Sequence, residues 1–303
     1  MKKELVSILT DLIALPSPYP PGTSVEICAY AAKRLKKAGY KVEIATHKKG
    51  VDNVVARMKG KGKGPVIAFN AHVDTVGVGE RSNWRTDPFK AFVKGGLVYG
   101  LGAGNCKGSM AVQLWLAEEV ARRGGPKTGE LIFTFVADEE NLGPEGMEFL
   151  RKSGKVRPDT LILGAQTENN LIVAERGVMW AKVTTRGRAA HAGVAPQDGR
   201  NAATELIHQI AGLEQFPKSG DGLTANLTVM TAGTRANIIP ENASAQVNVR
   251  VRDKASLDEV EAALRKNAAT TIVPDTKVTI SREPAFPPLP NNSGTDKLAA
   301  RAQ

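Results

Sequence analysis

Pro65-Val66-Ile67-Ala68-Phe69-Asn70-Ala71-His72-Val73-Asp74-Thr75-Val76 decides how the chain is read. Its apolar half, Pro65 to Asn70, has the length and composition of a buried strand, and His72 and Asp74 follow directly. A second apolar run, Leu131 to Val136, leads into Asp138-Glu139-Glu140. Two strands that each end in metal-type donors point to a metallohydrolase-like site on an α/β sheet, because ligands of open α/β sheets gather beyond the carboxyl ends of strands. Two residues apart on an extended segment, His72 and Asp74 point to one side, so the carboxylate can orient the imidazole. Of the adjacent pair Glu139 and Glu140, one carboxylate can bind a metal while the other faces a reacting water as general base. An isolated His-x-Asp or acidic turn carries little information; the weight lies in their positions after strands.

Outward from these runs, strand and helix patterns alternate. Residues 2–15 and 24–38 have helical periodicity and are separated by the Pro/Ser/Gly turn Pro16 to Thr23. Strands are expected over 41–45, 53–58 and 66–70, with a flexible turn at Gly60 to Gly64. A helix over 107–123, a strand over 131–136, a helix over 145–152 and a strand over 160–163 follow. This order predicts an open mixed sheet with helices on both faces. After Gly177 the pattern changes. Strand 178–185, helix 200–215, strands 223–231 and 243–251, helix 257–266 and strand 277–281 give β-α-β-β-α-β, the ferredoxin-like order. The expected division is a first domain over 1–176 that resumes at 284–303, with an inserted domain over 177–283.

Composition bounds the alternatives. The chain has 303 residues, enough for two domains, and no apolar run long enough to span a bilayer. Met1-Lys2-Lys3 precedes an apolar stretch, but Asp11 interrupts it and no small-residue cleavage site follows cleanly; an amphipathic first helix is expected. Two cysteines, Cys28 and Cys106, imply no disulfide framework, and a reducing cytoplasm is the expected location. The net charge of +10 favours acidic partners or small anions. The basic residues are scattered and the aromatic content is 5%, so neither a nucleic-acid nor a membrane partner is expected.

Together with these runs, Tyr99-Gly100-Leu101-Gly102-Ala103-Gly104-Asn105-Cys106-Lys107-Gly108, Arg176-Gly177, Gly187-Arg188-Ala189-Ala190-His191-Ala192, Gly199-Arg200-Asn201-Ala202, Asn237-Ile238-Ile239-Pro240 and Val249-Arg250-Val251 complete an ordered set of motifs. The chain resembles the dinuclear-zinc metallopeptidase family that includes glutamate carboxypeptidase, acetylornithine deacetylase, succinyl-diaminopimelate desuccinylase and aminoacylase. Val51-Asp52-Asn53-Val54-Val55 and Glu283-Pro284-Ala285-Phe286 are most similar to the glutamate carboxypeptidase-like branch. The resemblance implies hydrolysis of the amide bond of an N-acyl amino acid or small peptide carrying a free carboxylate. His72 would bind one zinc, oriented by Asp74. Glu139 would be the general base and Glu140 a ligand of the other zinc. The position of Asn105 normally holds an aspartate bridging both ions. His191 would reach a partner subunit's site and steady the oxyanion, and Asn237 and Arg250 would contact substrate, the arginine gripping a carboxylate. Residues 177–283 would form a dimerisation lid and make the protein a homodimer.

Three departures stand out. Asn105 offers a neutral carbonyl where an anion is implied. Ala165 offers no donor where the family has Glu or Asp. The chain ends at Gln303, before the region that carries the family's final histidine ligand. His47 and His208 lie in unrelated contexts, with His208 off the helical face formed by Ala203, Leu206, Ile207 and Ile210. Cys106 reads as a packing residue, and Glu168 and Glu175 are the other nearby donors. A catalytic zinc uses three protein ligands plus water, so weakened zinc binding and impaired catalysis are expected. The alternative is a catalytically silent homologue that binds small carboxylates as a dimer.

Overall fold

The computed structural model describes residues 1–302, and residues 283–285 by their backbone only. The chain divides into two compact units, Met1–Asn169 and Asn170–Gln303.

The first unit is a three-layer α/β/α arrangement. Its strands are β1 (Lys41–Lys48), β2 (Val51–Lys59), β3 (Gly62–His72), β6 (Thr128–Val136) and β7 (Thr160–Leu163), in the order β1-β2-β6-β3-β7. A short hairpin, β4 (Phe92–Lys94) with β5 (Leu97–Tyr99), lies outside this sheet. β3 runs parallel to both β6 and β7, whereas β1, β2 and β6 are antiparallel neighbours. β6 is central, and Ile132, Phe133, Phe135 and Val136 are all buried, which is why its sequence is continuously apolar and does not alternate. Helices α1 (Lys2–Ile13), α2 (Val25–Lys37) and α3 (Gly108–Arg122) cover one face through Leu12, Leu35, Met110 and Leu114. On the other face, α4 (Met147–Lys152) contributes Leu150 to a core with Val55, Ala68, Ile132 and Val156. The mixed sheet between helices expected from the sequence is the observed one. Gly60 to Gly64 is a correction: Gly62 and Gly64 belong to β3, and Gly64 approaches Thr128 and Gly129 too closely for a side chain. β7 is an edge strand, and Leu161, Ile162 and Leu163 on it are exposed.

The second unit is the ferredoxin-like module. β8 (Gly177–Arg186), β9 (Thr224–Ala232), β10 (Asn242–Val251) and β11 (Lys277–Phe286) pair antiparallel in the order β11-β8-β10-β9. Alternate residues of β10, from Ala243 to Val251, are buried under α5 (Ala202–Ala211) and α6 (Lys254–Ala268). Side-chain caps start both helices: Asn201 accepts from Ala203 N and Thr204 N, and Asp253 accepts from Ser256 N. A final helix, α7 (Ser293–Ala302), follows. The buried face of α5 differs from the expected one. Ala202, Glu205, Leu206 and Gln209 are buried, while Ile207 is 57% exposed and His208 is only partly exposed. The polar residues turn inward because the Glu205 carboxylate accepts from Ile272 N, Val273 N and Gln209 Nε2. Burial pushes this carboxyl up, but those bonds and that from Thr276 outweigh it and hold it below the usual glutamate value.

Candidate metal centre

β3, β6 and β7 are parallel, so the chain leaves all three at one edge of the sheet. β3 ends at His72, β6 leads into 137–146, and β7 leads to Ala165. The turn 102–107, which opens α3, returns Asn105 to the same place. It begins at Gly102 with φ 79°, where Thr75 leaves no room for a side chain, and Asn105 itself is extended. Lys107 is fully buried behind the turn and donates to Leu15 O at 2.8 Å, tying it to the end of α1; burial pushes this ammonium down to about 8. Cys106 is also buried and donates to Gly164 O at 3.0 Å, as a packing residue should.

His72 is the hub. Its Nε2 lies 3.1 Å from Asn105 Oδ1 and 3.6 Å from Glu139 Oε2. Its Nδ1 lies 3.0 Å from the Asp74 carbonyl oxygen and 3.4 Å from Asp74 Oδ1. Orientation of the ring is therefore shared between the backbone and the carboxylate of Asp74. The other carboxylate oxygen, Oδ2, accepts from Glu140 N at 3.0 Å, and Oδ1 has no hydrogen-bond partner although it is buried. Asn105 Nδ2 donates to Glu140 Oε1 at 2.6 Å. Burial alone pushes the His72 imidazolium down, but Asp74, Glu139 and Asn105 outweigh it and raise the ring to about 9.

His72, Glu139 and Glu140 offer ligand atoms that all lie within 4.8 Å of one another. One imidazole and two carboxylates are a sufficient protein set for one small divalent cation. They do not suffice for two. The amide of Asn105 already bonds His72 with its oxygen and Glu140 with its nitrogen, and the methyl group of Ala165 donates nothing. Glu168 follows Ala165 on an exposed stretch with positive φ, and Glu175 belongs to the second unit.

In the second unit, His191 pairs with Ile238 in an isolated bridge, and Ala192 N donates to Asn237 O at 2.9 Å, so His191 and Asn237 are neighbours. His191 Nδ1 accepts from Gly193 N and Val194 N, which leaves the proton on Nε2 and makes that atom a donor. A cavity of about 410 Å³ beside Ile238 is lined by Lys182, Thr184, Thr231, Asn242 and Ser244. Arg250 is elsewhere. It stands eight positions beyond Asn242 on β10, roughly 27 Å along the strand, with its Nε donating to Asn248 Oδ1 at 3.2 Å.

Known proteins sharing these features place the chain. A family profile described as Peptidase family M28 matches residues 53–167, and one described as Peptidase dimerisation domain, M20_dimer, matches 173–276. The succinyl-diaminopimelate desuccinylase of Xanthobacter autotrophicus is 31% identical over 274 residues, covering 84% of this chain and 71% of that protein. The chain belongs to the M20 peptidase family. Its members are metal-dependent peptidases and amidohydrolases, and this M20 chain has an incomplete set of metal ligands. The chain spans 66% of the length of the Methylorubrum populi succinyl-diaminopimelate desuccinylase, with 29% identity. In fold, a tripeptidase from Staphylococcus aureus superposes with a TM-score of 0.78 at 20% identity, covering 100% of this chain and 81% of that one. An M20 metallo-carboxypeptidase from Sulfolobus solfataricus gives 0.77 at 16%, covering 98% and 84%.

Two supporting features had no signal in the sequence pattern. His47 Nδ1 lies within hydrogen-bond distance of Glu145 Oε2, at 2.6 Å, and the ring stacks on Phe149. Asn53, within the Val51–Val55 motif, is fully buried beside the Glu139–Glu140 loop. The second branch motif, Glu283-Pro284-Ala285, has side chains that lie outside the described residues.

Proposed function

We propose that this M20 chain is an amide-bond hydrolase of N-acyl amino acids or small peptides whose metal centre is reduced to a single weakened site. One observation carries the reading: Asn105 joins His72 to Glu140 where the family would have an anion between two ions. His72, Glu139 and Glu140 would hold one zinc, which when bound polarises a carbonyl oxygen and activates water. Glu139 is then asked to do two things. As third ligand it is lost as general base; as base it leaves the ion two protein ligands. General-base catalysis is typically worth about 10²–10⁴-fold, so the first choice impairs turnover by that order, and the second weakens the hold on the ion. Asp74 orients His72 and holds Glu140 through its backbone N.

The substrate's acyl group and side chain follow from recognition, not from the metal. Arg250 suits a carboxylate, and the donor Nε2 of His191 suits a developing oxyanion. The name of the Xanthobacter relative adds an N-succinyl diamino acid to the candidate substrates, alongside the glutamate carboxypeptidase-like ones. We further propose that 177–283 is a dimerisation lid. β9 is one of the two edge strands of its sheet, and Leu227, Val229 and Met230 on it are exposed. Because His191 stands beside Ile238, ahead of the start of β10, and Arg250 near its far end, a ligand touching both is served by two copies.

Metal analysis and N-acyl amino acid hydrolysis test the hydrolase. At most one zinc per chain with slow turnover is expected; two tightly held ions with ordinary turnover would refute the reading. Mixing the variants H191A and R250A tests the dimer. Random pairing should recover about a quarter of the wild-type carboxylate-binding sites, since each mixed dimer holds one intact combination. No recovery would place both residues in a single-copy site.

A second reading, a metal-free binding homologue, is favoured by the retained set His191, Asn237 and Arg250 beside the depleted metal ligands. Calorimetry with N-acetylglutamate in the presence of a chelator separates it: undiminished affinity without metal supports binding as the function.

A further inference from the structure

The loop between β6 and α4 carries Glu139 and Glu140, and both its ends meet at one side chain. Asn53 lies near the start of β2, next to the Val54–Phe135 pair, and is fully buried. Its Oδ1 accepts from Ala137 N, the first residue after β6, at 3.0 Å. Its Nδ2 donates to Glu145 O, just ahead of α4, at 2.9 Å and to Ala45 O of β1 at 3.2 Å. The amide thus uses its oxygen and both N–H groups. A carboxylate of the same shape at this place would set an oxygen against two carbonyl oxygens.

We propose that Asn53 is a positioning residue for the metal centre: by fastening both ends of loop 137–146 it sets where Glu139 and Glu140 stand against His72. This rests on reading the His72 cluster as a cation site. The loop is also drawn together from within. Asp138, with φ 66°, accepts from Asn141 Nδ2 at 3.2 Å and Glu145 N at 3.1 Å. Gly143 passes so close that a Cβ would fall 1.9 Å from Asp138 Oδ2, and one on Gly146 would fall 2.1 Å from Ala137 O. At the tip, Glu140 N bonds Asp74 Oδ2. Asp138 acts inside the loop and Asp74 inside the cluster. Asn53 belongs to neither, and its bonds hold the loop's two ends to the rigid sheet.

The test is N53D in the full chain, read by amide hydrogen exchange and by cobalt titration. Exchange needs no metal. Protection at Glu140 N and Glu145 N is expected to fall at least about 10-fold, while Phe133 N and Phe135 N in β6 stay protected. Cobalt affinity is expected to weaken by about 10–100-fold, the range for outer ligands that orient a metal site. V55A, which thins the neighbouring core without touching the loop, should lose stability yet keep cobalt affinity within about 3-fold. If N53D does not fold, as loss of Phe133 protection would show, N53S takes its place with the same expectations. Unchanged loop protection in a folded variant, or equal loss of cobalt affinity in V55A, overturns the proposal. Absence of cobalt binding by the wild type would defeat the functional reading alone, and the exchange result would still decide the role of Asn53.

Discussion

Asn105→Asp tests the site at its centre. The change is nearly isosteric, so its effects are electrostatic. In the wild type Asn105 Nδ2 donates to Glu140 Oε1 at 2.6 Å, a bond to a charged acceptor worth about 1.5–3 kcal/mol. Aspartate removes the donor and sets two carboxylates face to face. At a separation near 3 Å and an effective dielectric constant of about 20, their repulsion is roughly 5 kcal/mol. Attraction to His72 from the new charge and the partial exposure of Glu140 offset much of that, leaving a net loss of about 3 kcal/mol in the presence of a chelator. For a unit of this size the midpoint falls about 2–4 °C per kcal/mol, so the first unit should melt about 6–12 °C lower. Saturating zinc should reverse the sign, because the added anion is a ligand: N105D should gain more from zinc than the wild type does. Thermal denaturation of both proteins, with EDTA and with zinc, measures the four midpoints. If N105D melts with the wild type in EDTA, or gains nothing extra from zinc, Asn105 does not bridge His72 and Glu140 as argued.

Two further outcomes follow from other parts of the molecule. Glu205 has its folded value held below the ordinary 4.5, so its contribution is fully present above the unfolded value and is lost as pH falls through the lower folded one. The second unit should therefore lose stability on acidification below about pH 4.5, and E205Q should flatten that part of a pH series of denaturation midpoints; an unaltered slope would remove Glu205 as its cause. On the open edge of the first sheet, Leu163 on β7 is 58% exposed, and L163K should reduce self-association in sedimentation velocity while shifting stability by no more than about 0.5 kcal/mol. A large loss of stability would mean that Leu163 is packed in solution.

Much of this molecule is legible because its core strands follow simple patterns. Leu131 to Val136 reads as a buried strand because β6 has neighbours on both sides and helices on both faces. His72 and Glu140 are brought together by the sequence because parallel strands release their loops at one edge of the sheet, whereas Asn105 joins them only through the family resemblance. What escaped has a different origin. Asn53 bonds residues 84 and 92 positions away, and His47 pairs with Glu145 at a separation of 98. No local period encodes such contacts. On α5 the period itself misleads, since Glu205 and Gln209 turn inward to satisfy the backbone groups of Ile272, Val273 and Thr270 while Ile207 faces out. Sequence motifs single out Arg250 and His191, but only the strand geometry sets Arg250 near the far end of β10 and His191 beside Ile238, ahead of its start.

The balance of charge explains why the remaining residues suit one ion. Two divalent cations bring four positive charges to a site that burial partly shields from water. The family pattern implied by the resemblance meets them with five carboxylates, at the positions of Asp74, Asn105, Glu139, Glu140 and Ala165. This chain keeps three of them. One cation against three carboxylates leaves the site mildly negative; a second would leave it positive, with repulsion between the ions and no anion between them. At an effective dielectric constant near 20, two such ions about 3.5 Å apart repel by roughly 19 kcal/mol, which the neutral oxygen of Asn105 cannot offset. Restoring Asp at 105 alone supplies the bridge but only one of the two missing charges. The double change N105D with A165E is therefore the least alteration that should raise zinc stoichiometry above one, and N105D alone should tighten the first ion without admitting the second.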